Sequence, residues 1–246
     1  LGHRLCAEFL RQGGEADHAV LARHFELGAD LPAAVTHYIE AASDTWNRGG
    51  LEHAEQLCEA ALRCGASGEL LGAVRCVQAQ LRLFNNQLAA GLQYAREGLS
   101  LSPPGGRFYY WSLLGLLASA TLLGRMEVVM EVLRDFDGRL PHHDAAGYFQ
   151  EFASLIGQLY VFLAMRDKAR QALGQMRAVC DLFEGDPQWP LFHASWQRAQ
   201  ASFDMYLGDN PYQETRLEPL TPDAAIEASM PLATGIQDGS VIVLDK

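Results

Sequence analysis

Gly49-Gly50-Leu51-Glu52-His53-Ala54-Glu55-Gln56-Leu57-Cys58-Glu59-Ala60-Ala61-Leu62 joins a glycine turn to a helix whose small and apolar residues share one face. Ala54, Cys58, Ala61 and Leu62 fall three and four residues apart, the spacing that stacks side chains along one side of an α-helix. The glycines before them close the preceding helix, because a residue free to take the left-handed conformation lets the chain reverse within a few residues. Small residues just after the turn then allow two helix backbones to approach closely. The pattern returns in Asn86-Gln87-Leu88 with Gly91, Ala95, Gly98-Leu99 and Pro103, and again in Gly124-Arg125-Met126 with Val129, Leu133, Phe136 and Pro141. Looser copies surround Asp167, Ala172, Met176 and Val179, and run from Leu191 to a turn at Gly208. Successive turns lie 37, 38, 43 and 41 residues apart. A period in that range marks stacked helical hairpins.

Working outward, helical periodicity runs almost unbroken to Leu207, with further turns expected at Gly13-Gly14, Gly28-Ala29-Asp30 and Arg166-Asp167. An all-α domain over residues 1–208 follows, with loops at Pro103–Arg107 and Arg139–Ala146. Residues 209–246 break the rhythm with Pro211, Pro219, Pro222 and Pro231, and read as a short irregular tail. Within it, Asp223–Met230 suits a short helix and Ser240–Leu244 a lone strand.

Composition agrees with this architecture. Leu (36) and Ala (34) exceed a quarter of the 246 residues, a bias toward strong helix formers. The net charge of −11 argues against nucleic acid or an anionic membrane surface as a general partner. Five cysteines, odd in number and scattered through helical patterns, fit a reducing compartment. The chain opens on Leu1 with no secretory leader pattern, so it reads as a cytoplasmic piece of a longer protein. The longest uncharged run, Phe108–Gly124, is diluted by Ser112, Ser119 and Thr121 and reads as a packed helix rather than a bilayer span.

Catalytic signatures are missing. Lys168 and Lys246 are the only lysines, and neither can complete a phosphate-binding loop or a kinase site. There is no G-x-S-x-G elbow and no H-E-x-x-H pair. His142-His143-Asp144 are adjacent but point in different directions and lack a third close ligand; His3 and Cys6 form only a pair. His24 and His37 suit packing roles, and the pairs Glu52/Glu55 and Glu127/Glu131 suit solvated faces. No catalytic residue, metal or cofactor is expected.

The recurrent small, aromatic and Leu positions resemble the tetratricopeptide repeat, most clearly in Val35–Gly65 and with decreasing fidelity to about residue 208. That resemblance implies a right-handed superhelix of antiparallel hairpins, an α-solenoid of about five and a half units. A concave face of first helices would bind a protein or peptide partner. The groove positions it implies are Thr36, Ile39, Ser43 and Trp46 in the first unit and Gln80 and Leu83 in the next. Trp111, Leu114 and Thr121 follow in the third, and Arg198 in the last. Trp46 and Trp111 are the candidate anchors.

A second resemblance rests on Leu21-Ala22-Arg23-His24-Phe25-Glu26-Leu27-Gly28, Ala33-Ala34, Tyr38-Ile39-Glu40-Ala41-Ala42 and Gly49-Gly50-Leu51-Glu52-His53-Ala54. Together these are similar to the helical array following the nucleotide-binding module of bacterial STAND-type signalling ATPases, including maltose-regulator-like, kinase-fused and cyclase-fused members. It implies a non-catalytic sensor or interaction segment whose partner is a protein, a peptide or another domain of the parent chain. A self-associating scaffold is the alternative expectation, and an enzyme built around His142 and His143 a distant third.

Overall fold

The computed structural model describes residues 2–136 and 138–207; the tail and its expected helix and strand lie outside the described residues. Among the described residues there are eleven α-helices, one 3₁₀ turn at His143–Ala145 and no strand. The chain divides into two compact units at Ser119/Ala120.

The first unit holds α1 (Gly2–Gln12), α2 (His18–Leu27), α3 (Leu31–Asn47), α4 (Leu51–Arg63), α5 (Gly68–Phe84), α6 (Leu88–Leu101) and the first three turns of α7 (Arg107–Leu122). From α1 to α6 each helix packs on the next, and α3 also packs on α5. The second unit holds the end of α7, α8 (Met126–Asp135), α9 (Ala146–Phe162), α10 (Arg166–Leu182) and α11 (Trp189–Leu207), with α9, α10 and α11 in mutual contact.

One closure device recurs along the chain. The amide of Asp30 donates to Phe25 O and that of Ala29 to Glu26 O, and the same pair of bonds ends the helices before Gly50, Ala66, Gln87, Arg125 and Met165. This is the Schellman motif, which satisfies orphan helix carbonyls and turns the chain sharply. Its left-handed residue is Gly at positions 49, 65 and 124, Asn at 86, and Ala at 29 and 164. The turn expected at Arg166-Asp167 is therefore Leu163–Met165, and Arg166 already opens α10. Helices α4, α6, α8 and α10 start 37, 38 and 40 residues apart. Gly28 has an ordinary helical φ and is small for another reason: a Cβ there would lie 2.7 Å from the backbone nitrogen of Arg4 in α1.

Small residues also set the packing of α5 on α6. A Cβ on Gly98 would lie 3.2 Å from both Cys76 N and Gly72 O, and one on Gly72 2.8 Å from the Leu101 Cβ. The two helices therefore cross backbone to backbone. Ala73, Val74, Val77, Leu81, Leu92 and Ala95 fill the surrounding core. Beside this contact, Arg82 of α5 pairs with Glu55 of α4 at 2.9 Å and Arg75 with Glu97 of α6 at 2.9 Å, and both guanidiniums stack over the Tyr94 ring of α6. Glu55 is thus half-buried and paired rather than a solvated member of an acidic face.

In the second unit, Val128, Val129, Val132 and Leu133 of α8 are buried, and the Tyr160 hydroxyl of α9 donates to Leu133 O at 2.6 Å. Phe149 and Phe152 pack beside Phe136. The uncharged run Phe108–Gly124 forms α7, with Tyr110, Leu113, Leu116, Leu117 and Ala120 buried. No helix among the described residues is long and apolar enough to cross a membrane.

Two histidine pairs join the first three helices. His3 and His24 approach through their Nδ1 atoms at 3.2 Å, and His18 and His37 do so at 2.9 Å. His37 also stacks on the core ring of Phe25. Such a contact needs one ring to donate and the other to accept, so double protonation opposes it. Burial holds the His37 pKa below the usual histidine value; His18 and Arg11 push it the same way, and Glu40 opposes them. A depressed pKa means that the folded state favours the neutral ring. Its contribution to stability is full above the unfolded value of about 6.5 and is lost as pH falls below that through the folded pKa. The melting temperature is expected to drop between about pH 7 and pH 5, with the slope reduced in His37→Gln. Superimposable pH profiles for the two proteins would refute a role for this pair.

Candidate partner-binding site

Along one side of the first unit, α3, α5 and α7 contribute a run of aromatic side chains. Trp46, half-buried at the end of α3, meets Phe84 edge-on at a centroid distance of 5.6 Å and Trp111 at 5.1 Å. Phe108 lies 6.3 Å from Trp111, and the Arg107 guanidinium covers Phe108 while pairing with Glu40 of α3. Phe84 remains 51% exposed, and the Trp46 indole N–H, closed off from solvent, has no hydrogen-bond partner. A buried donor without a partner is unusual in a folded protein, where nearly all such groups are bonded.

The expected groove residues divide sharply. Thr36 is exposed, and Trp46, Leu83 and Leu114 are half-buried in the first unit. Four others are corrected by the structure: Ile39, Ser43, Gln80 and Trp111 are each at most 5% exposed and line the interior. Ser43 returns its hydroxyl to Ile39 O at 2.9 Å. Gln80 donates to Trp111 O at 3.0 Å and occupies the notch that Gly115 leaves open. Trp111 is the hub on which Trp46 and Phe108 rest, not an anchor offered to a partner. Phe84, Phe108 and the Arg107–Glu40 pair were not foreseen. Phe84 was traceable, as the aromatic residue closing α5 immediately before Asn85-Asn86.

Thr121 and Arg198 belong to the second unit. Thr121 is half-buried near the end of α7, and Arg198 stands at a cleft of about 260 Å³ between α9 and α11. The cleft is lined by Gln150, Glu151, Ser154, Leu155, Gln158, Ser195 and Arg198. Phe192 rests against Gly147 and Phe203 against Gly157, so the two helices touch on either side of it. Between these contacts, the small Ser154 and Ser195 leave the gap.

Other candidate chemistry is absorbed locally. His143 Nε2 lies 2.6 Å from Asp186 Oδ2 and the ring packs edge-on against Phe183, tying the 3₁₀ turn to the loop before α11. Among the described residues no three His, Cys, Asp or Glu side chains converge in a metal-ligand arrangement. All five cysteines are free thiols. Burial pushes the pKa of Cys76 to about 12 and raises those of Cys58, Cys64 and Cys180, which suits packing rather than nucleophilic attack.

Comparison of the chain with known protein families, with characterised proteins and with solved structures found no match.

Proposed function

We propose that this chain is a non-catalytic interaction and sensor segment. In this reading it is a TPR-like α-solenoid within a bacterial signalling ATPase of STAND type, working in the cytoplasm and engaging a protein or peptide through the aromatic side of α3, α5 and α7. The carrying observation is the Trp46–Phe84 pair, a half-exposed aromatic edge beside an unpartnered indole N–H. Aromatic groups of this kind dominate interface energetics. The repeated Schellman closures and the neighbour-to-neighbour helix packing support the solenoid reading.

A photo-crosslinking side chain at Phe84 is expected to trap a defined partner that the same group at exposed Glu52 does not. Phe84→Ala is expected to weaken that partner at least about tenfold, some 1.4 kcal/mol, without lowering the melting temperature. Identical crosslinks from both positions, or unchanged affinity, would remove the reading. The scaffold alternative draws on Leu5 and Phe9, one turn apart on α1 and 58% and 75% exposed. Sedimentation decides it, since a strict monomer contradicts self-association.

A further inference from the structure

Little apolar surface holds α1 to the first unit. Ala7 is the one buried residue of its 11, Cys6, Glu8 and Leu10 are half-buried, and Leu5 and Phe9 are 58% and 75% exposed. A helix with so few buried contacts belongs to the low-stability end of a fold and opens at modest cost. Polar contacts supply the rest of its attachment. His3 meets His24 of α2 through Nδ1 atoms 3.2 Å apart, and Arg4 reaches Asp30, at the start of α3, at 3.5 Å.

The histidine contact limits how many protons the docked helix can carry. One ring must donate and the other accept, so the contact tolerates one imidazolium and excludes two. Once α1 is released both rings meet water, where free histidine is charged below about pH 6.5. Release therefore takes up one proton more than docking does in acid, and a one-proton difference shifts an equilibrium by up to about tenfold per pH unit. Docking is favoured above about pH 7 and lost as the pH falls.

The far end of α1 responds in the same direction. There Arg11, in the last turn, lies close enough to the His18–His37 contact to act on His37. Burial and the His18 charge lower the His37 pKa most, Glu40 raises it, and Arg11 lowers it further. Such coupling is reciprocal, so a proton taken up at His37 repels Arg11 and the helix that carries it. The other charged side chains flanking the two contacts are carboxylates and guanidiniums. Glu8 pairs with Arg4, Arg23 with Glu26 and Glu40 with Arg107, while Asp17 caps α2 beside His18. These types ordinarily titrate below about pH 5 or above about pH 12, so between those limits the histidines are the groups that change charge.

We propose that α1 is an acid-released arm: proton uptake at the His3–His24 and His18–His37 contacts lets it leave α2 while α4, α5 and α6 stay folded. Release bares the α2 surface at Gly28, on which the Arg4 backbone now sits, and frees Cys6 from its half-buried position. The switch goes beyond the partner-binding reading and uses none of Trp46, Phe84, Phe108 and Trp111.

Hydrogen exchange of the whole chain, read by mass spectrometry and corrected for the intrinsic effect of pH on exchange, tests it. Protection of the α1 amides relative to those of α4–α6 is expected to fall at least about tenfold between about pH 7 and pH 5. His3→Gln, at an exposed position, places an amide that can donate to or accept from His24 in either protonation state. This variant is expected to keep the protection seen at neutral pH and to lose most of the pH response, and Arg11→Gln to lose part of it. Phe84→Ala is expected to leave the response unchanged, so this proposal and the partner-binding reading fail separately. Unprotected α1 amides at neutral pH, a fall shared equally by α4–α6, or an undiminished response in His3→Gln would each overturn the inference.

Discussion

Trp111→Ala is expected to destabilise the first unit by about 3–5 kcal/mol, the cost of emptying a fully buried aromatic site. Trp111 is 1% exposed and supports Trp46 at 5.1 Å and Phe108 at 6.3 Å, so its loss removes the base on which the exposed aromatic edge stands. Trp46 is only half-buried, and Trp46→Ala is expected to cost roughly half as much, in proportion to the area it removes from water. Denaturant unfolding of the two variants measures the difference directly. Equal costs, or the larger cost at Trp46, would show that Trp111 is not the hub. The contrast also separates packing from recognition: Trp111→Ala would abolish partner binding through the fold, whereas Phe84→Ala would do so with the fold intact.

Gly157→Ala is expected to cost the second unit about 1–3 kcal/mol, the usual range for overpacking a filled core. A Cβ at this position would fall 2.2 Å from the Cζ atom of Phe203, whose side chain is itself 1% exposed, so the ring must shift to admit the methyl. Helix propensity predicts the opposite sign, because alanine is favoured over glycine in a helix by up to about 1 kcal/mol. Gly174→Ala in α10 serves as the control. Nothing lies within 4 Å of its added methyl, so that substitution is expected to be neutral or stabilising. Phe203→Leu in the Gly157→Ala background is expected to recover part of the loss. If Gly157→Ala melts at or above the parent temperature, the close approach of α9 and α11 is not as described.

Much of the helical layout was readable beforehand because it depends on local chemistry. Turn positions follow from which residues tolerate a left-handed backbone, and Gly49, Gly124 and Asn86 each occupy that conformation where the repeats placed them. The miss at Arg166-Asp167 has the same origin: Ala164 takes a left-handed φ of 57° and carries no compositional mark. The small residues Gly91 and Gly98 were legible as close-approach positions, since a period of three to four residues puts them on one face. Of the candidate groove, the repeat resemblance assigned Thr36, Ile39, Ser43 and Trp46 to one helix, and all four lie on α3. It carried no information on how deep the neighbouring helix would cover each of them.

The sequence by itself determined the helical character of the described residues, their punctuation and the want of lysine that removes phosphate-loop chemistry. These depend on residue type and on neighbours within a turn or two. Only the tertiary structure decided that Gln80 and Trp111 are interior, that Glu55 is paired, and that Glu151 and Arg198 line one cleft. Those outcomes depend on how closely helices approach, and a single glycine such as Gly115 or Gly157 can shift a facing side chain from surface to core. Burial and charge pairing are properties of two helices at once, and periodicity along one helix does not contain them.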